Sequence, residues 1–64
     1  MENPYKIEFK GTHLNVSIKD GEITDILMCN YGGGYTKIYG KNVKLVHPNY
    51  LTEIKKLINE KYNH

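Results

Sequence analysis

Six tyrosines, three histidines, one cysteine and a run of three glycines are the residues of this chain with chemistry to offer, and their spacing decides which chemistry. The informative stretch is Asn30-Tyr31-Gly32-Gly33-Gly34-Tyr35, followed by Lys37 and Tyr39. Three consecutive glycines fit neither a helix interior nor a packed strand, because glycine has no side chain to bury and loses the most backbone entropy. They read as the tip of a hairpin. Tyr31, Tyr35 and Tyr39 fall at even spacing on its arms, hence on one face. Tyrosine contributes large contact area at low entropy cost, so such a face suits protein docking. The same rings could stack bases while Lys37 neutralises a phosphate, or form a cross-strand ladder that only stabilises the hairpin. A phosphate-cradling loop fits poorly: such loops lead from a strand into a helix N-terminus, and here a strand follows.

Catalysis and metal binding find less support. His13, His47, His64 and Cys29 show no ligand pairing such as C-x-x-C or H-x-x-x-H, so no metal is expected. Cys29 with a nearby histidine would be a nucleophile, but a cysteine within a strand is ordinarily a small inert hydrophobe. Paired carboxylates would need Asp25 with Glu22 or Asp20, all clustered around one turn, where solvation explains them. A domain this small also has little room for a walled, water-excluding cavity. The chain is therefore expected not to be an enzyme and to need no cofactor.

Sixty-four residues make one domain. A chain of that length buries only about 60% of its unfolded surface, so stability is expected to be marginal and support from a partner or a second copy welcome. The lone Cys29 excludes an internal disulfide framework and points to a reducing compartment. No apolar run approaches the roughly 20 residues that span a bilayer. The start, Met1-Glu2-Asn3-Pro4-Tyr5, lacks the basic and apolar regions of a signal peptide. The expected location is the cytoplasm, away from membranes. Net charge is +2, from nine lysines against seven acids, with no arginine. Without arginine's planar fork, sequence-specific reading of nucleic acid is disfavoured. Lys, Asn, Ile and Tyr abound and have A/T-rich codons, which points to a low-GC bacterium or one of its mobile elements.

Periodicity supplies the scaffold. Tyr5, Ile7 and Phe9 alternate with Lys6, Glu8 and Lys10, and Leu14, Val16 and Ile18 repeat the pattern. A type II′ turn at Gly11-Thr12 would set Phe9 opposite Leu14, Ile7 opposite Val16 and Tyr5 opposite Ile18. Asp20-Gly21 signals a second hairpin, placing Lys19 by Glu22 and Ile18 by Ile23. Strict alternation would then bury Asp25 and expose Ile26, so a bulge near Thr24-Asp25 is expected, turning Ile26, Met28 and Ile38 inward. Leu27, Cys29, Tyr31, Tyr35, Lys37 and Tyr39 are left on the face the core does not need. Gly40-Lys41 should turn the chain into a short fifth strand, Val43-Lys44-Leu45-Val46, with Ile38 opposite Val43. His47-Pro48-Asn49 should open a helix, Asn49 as its N-cap. Its apolar arc comprises Tyr50, Leu51, Ile54, Leu57, Ile58 and Tyr62, with Lys61 alone inside it. The expected fold is α+β: a two-layer meander sheet of four to five antiparallel strands with one C-terminal helix on one face.

No family motif stands in the chain. In general character it resembles the small, enzyme-free proteins by which phages and plasmids block host functions, anti-CRISPR and other anti-defence inhibitors among them. Size, A/T-coded composition, the missing catalytic set and the tyrosine-bearing face carry that likeness. It implies a protein-binding inhibitor that acts on a larger bacterial protein or complex by occlusion. The expected contact residues are Leu27, Tyr31, Gly32, Gly33, Gly34, Tyr35, Lys37 and Tyr39. The alternative is an oligomer that binds a nucleotide or single-stranded nucleic acid between tyrosines and lysines; a homodimer through the same stripe is the third reading.

Overall fold

The computed structural model describes residues 4–62, so Met1, Glu2, Asn3, Asn63 and His64 and the readings that rest on them lie outside the described residues. Four strands, β1 (Tyr5–Phe9), β2 (Thr12–Lys19), β3 (Glu22–Cys29) and β4 (Tyr35–Tyr39), precede one helix, α1 (Pro48–Tyr62). The strands form one antiparallel sheet in the order β1-β2-β3-β4, and the helix covers one face. The fold is the two-layer α+β arrangement that periodicity implies.

The first turn differs from expectation. It is Lys10-Gly11, with φ of 52° and 78°, a type I′ turn. β1 accordingly pairs Phe9 with Thr12, Ile7 with Leu14 and Tyr5 with Val16. The physical reason lies in Thr12, whose β-branched side chain suits a strand better than a turn. The register moves by two residues, and because side chains alternate with period two, the apolar face is unchanged. Asp20-Gly21 is likewise type I′, with φ of 55° and 79°, and sets Lys19 by Glu22 and Ile18 by Ile23 as expected.

The bulge is where the buried-carboxylate argument puts it. Ser17 pairs with Asp25 while Ile18 pairs with Ile23, which leaves Thr24 as the extra residue. Its hydroxyl donates to the Ser17 carbonyl at 3.2 Å. From there Val16 faces Ile26 and Leu14 faces Met28. Ile7, Leu14, Val16 and Ile26 then meet Ile54 and Ile58 of the helix in a core from which every one of the six is nearly excluded from water.

The fifth strand shrinks to a single bridge, Tyr39 with Lys44. The connector turns over Gly40–Val43, the Gly40 N–H donating to the Val43 carbonyl at 2.6 Å. Four residues, rather than two, therefore separate the paired positions. The helix cap is also corrected. Pro48 is the first helical residue, so His47 precedes it, and His47 Nδ1 accepts the Asn49 N–H at 3.1 Å while its carbonyl accepts the Tyr50 N–H at 2.9 Å. Proline needs no N–H partner at that position, which fixes the helix start two residues earlier than an Asn49 cap would. His47→Ala should lower stability by about 0.5–2 kcal/mol and His47→Asp should restore it, read from urea midpoints.

At its other end the helix closes the β1 edge of the sheet. The Tyr62 hydroxyl accepts the Lys6 N–H at 3.2 Å and donates to the Lys6 carbonyl at 2.9 Å, and Lys61 Nζ donates to the same carbonyl at 2.8 Å. The Tyr62 ring meets Tyr5 edge-on at 5.1 Å. Tyr62→Phe keeps the ring and removes two of these bonds. It should cost about 1 kcal/mol, seen as a fall of roughly 4–8 °C in Tm.

Candidate functional site

The β3–β4 hairpin ends in a defined turn. The Gly33 N–H donates to the Asn30 carbonyl and the Asn30 N–H to the Gly34 carbonyl, each at 3.1 Å. Asn30 opens a type I turn whose fourth residue, Gly33, has φ of 95°, a backbone conformation that favours glycine. Gly34 follows at φ 81° and returns the chain to β4. Gly32 has neither a positive φ nor a neighbour within 4 Å of an added Cβ, so a side chain would fit there. The Thr36 hydroxyl donates to Asn30 Oδ1 at 3.1 Å and ties the loop to the strand.

This turn lifts Tyr31 clear of the fold: it is fully exposed. Cys29 pairs with Tyr35, and Leu27 with Lys37, so these four share the outer face of the sheet, away from the helix. Leu27 and Cys29 are half-buried there, while Tyr35 keeps 57% of its surface in water. Lys37 Nζ lies 3.1 Å from Asp25 Oδ1, an ion pair that the sequence reading did not anticipate. Gly40 packs against that pair: an added Cβ would sit 2.9 Å from Asp25 Oδ1 and 3.1 Å from Lys37 Cδ.

Tyr39 does not belong to the outer face. A second bulge leaves Ile38 unpaired between Lys37, opposite Leu27, and Tyr39, opposite Ile26. Tyr39 therefore turns inward and packs on the core, with Lys44 Nζ 5.2 Å from its ring centre. Ile38 touches the core as well, as expected. The physical cause is the same as in the first bulge: an extra residue changes which side chains face inward. Two of the residues that base stacking would use are thus already engaged, Tyr39 with the core and Lys37 with Asp25.

Leu45 is a residue that sequence reasoning missed. It is 75% exposed beside β4, its N–H donating to the Ile38 carbonyl at 2.9 Å. A signal was present: in Val43-Lys44-Leu45-Val46 the two alternate faces each carry an apolar residue, so a one-sided core cannot take them all.

Elsewhere, a groove of about 390 Å³ between helix and sheet is lined by Tyr5, Ile18, Lys55, Ile58, Asn59 and Tyr62. Among the described residues the buried side chains are all apolar, and no three His, Cys, Asp or Glu side chains come together to hold a metal. No described helix is long and apolar enough to cross a membrane. Set against known proteins, the chain matches no family model, no curated protein and no solved structure.

Proposed function

We propose that the chain is a small, non-enzymatic binding module that docks on a larger bacterial protein through the β3–β4 hairpin. It acts by occlusion, as inhibitors carried by phages and mobile elements do. The observation that carries this reading is Tyr31, a fully exposed aromatic side chain on a turn held by two backbone bonds and two left-handed glycines. A solvated tyrosine contributes nothing to the core, yet the turn presents it in a set direction, and preorganised aromatic residues make effective anchors. Tyr35, Leu27 and Cys29 continue the contact along the outer face, and Lys37 with Asp25 forms a polar rim.

The test begins with affinity capture from a low-GC bacterial lysate, with the wild-type chain and Tyr31→Ala as parallel baits. Proteins retained by the wild type and lost with Tyr31→Ala are the expected result. Equal retention on both baits removes the tip from the reading.

A further inference from the structure

The two edges of the sheet are treated differently. On β1 the outward N–H and C=O of Lys6 are taken by Tyr62 and Lys61. On β4 no described backbone or side-chain group reaches Tyr35 or Lys37 from the open side, while the bridge at Tyr39–Lys44 and the Leu45 bond close the strand further along. Bonded and non-bonded pairs alternate in an antiparallel ladder. Asn30 bonds Gly34, so Cys29–Tyr35 and Leu27–Lys37 are the non-bonded pairs. The N–H and C=O groups of Tyr35 and Lys37 consequently point away from β3, into solvent. An unpaired row of that kind is a template for another strand.

We infer that this edge pairs with a second copy of the chain, antiparallel, about a twofold axis through Thr36. In that register Tyr35 of each copy lies opposite Lys37 of the other, and both outward-facing residues exchange backbone bonds, four in all. The register also sets no like charges directly opposite each other. Lys37 is already drawn to Asp25 of its own chain at 3.1 Å, so the two lysines do not oppose each other unpaired. Each Tyr35 ring gains a lysine neighbour, the arrangement this chain uses at Lys10–Tyr50, Lys44–Tyr39 and Lys61–Tyr62. Gly34 falls opposite Ile38 of the second copy, where Leu45 occupies the edge. Its lack of a side chain and its φ of 81° carry the chain aside there and confine the pairing to three residues. The joined sheet has eight strands, and the two Tyr31 tips point to opposite ends. The pairing uses backbone at the edge and stands independently of docking through Tyr31.

Cross-linking tests the register directly. The twofold makes Thr36 and its counterpart a non-bonded pair with Cα atoms about 4.5 Å apart, within the roughly 4.4–6.8 Å that a disulfide spans. In a Cys29→Ser background, Thr36→Cys should therefore oxidise to a covalent dimer quickly. Tyr31→Cys, more exposed but remote from the axis, should do so at least tenfold more slowly. Adding Lys37→Pro to the Thr36→Cys chain removes an outward N–H without touching the β3 ladder and should slow the reaction roughly tenfold. Lys37→Gln keeps that N–H and gives up only the lysine–ring contact, so it should slow the reaction by about two- to threefold, well short of the proline variant. A Thr36→Cys chain that stays monomeric, or that cross-links no faster than Tyr31→Cys, overturns the inference. Either result leaves the capture experiment with Tyr31 untouched.

Discussion

Ile26→Ala should remove most of the stability of this molecule, whereas Leu27→Ala, one position further along, should barely register. Ile26 is fully excluded from water on an inner strand, with Val16 on one side and Tyr39 on the other. Truncating such a residue costs about 2–5 kcal/mol, the transfer energy of the lost carbons plus the cavity they leave. A core in a domain of this length rarely supplies more than about 3–5 kcal/mol of net stability. The variant should therefore be largely unfolded at room temperature, its urea transition displaced to near zero denaturant. Leu27 is half-buried on the outer face opposite Lys37, and its loss should cost under about 1 kcal/mol. The contrast reads out the bulge at Thr24. Without that extra residue the two positions would exchange faces and the two variants would exchange phenotypes, so a lower midpoint for Leu27→Ala than for Ile26→Ala would mean that the bulge is misplaced.

How far the fold was legible follows from the same residues. Alternation in the first two strands, the Asp20-Gly21 turn and the cost of burying Asp25 together locate β1 to β3 and the first bulge, because each is a local or near-neighbour effect. Spacing alone puts the first turn one residue late, yet the apolar face is the same, since a register change of two preserves the pleat. The second bulge at Ile38 was not legible. Ile38 and Tyr39 are both compatible with burial, so no cost comparable to a buried carboxylate selects between them. What decides is the connector, which returns Lys44 to the Tyr39 ring and Leu45 to the Ile38 carbonyl, contacts that the spacing along β4 does not reveal. The helix cap shows the same limit. Asn49 is the better capping residue by preference, but proline's missing N–H selects the earlier start and gives the role to His47. Of the candidate docking residues, Tyr31, Tyr35, Leu27 and Lys37 remain outside the core, and Tyr39 moves to it because pairing across three strands overrides its spacing.

That reassignment separates the tyrosines experimentally. Tyr31→Ala should leave Tm unchanged, because the side chain has no packing to lose, and should weaken binding to the captured partner by about 2 kcal/mol, some thirtyfold. Tyr35→Ala should act in the same direction with a smaller loss, since part of its ring already lies against the sheet. Tyr39→Ala should behave in the opposite way. Its ring packs on the core beneath Lys44, so stability should fall by about 1–3 kcal/mol, while binding by the fraction that remains folded stays near the wild-type value. Titration calorimetry and thermal melts on the three variants give both readouts from the same preparations. A ladder that merely stabilises the hairpin predicts another pattern, three losses of Tm and none of affinity, because a cross-strand stack needs every ring on one side. With Tyr39 facing the helix and Tyr31 in water, the rings cannot stack in that way. If Tyr31→Ala lowers Tm as much as Tyr39→Ala does, the tip is held by packing and is not the docking element.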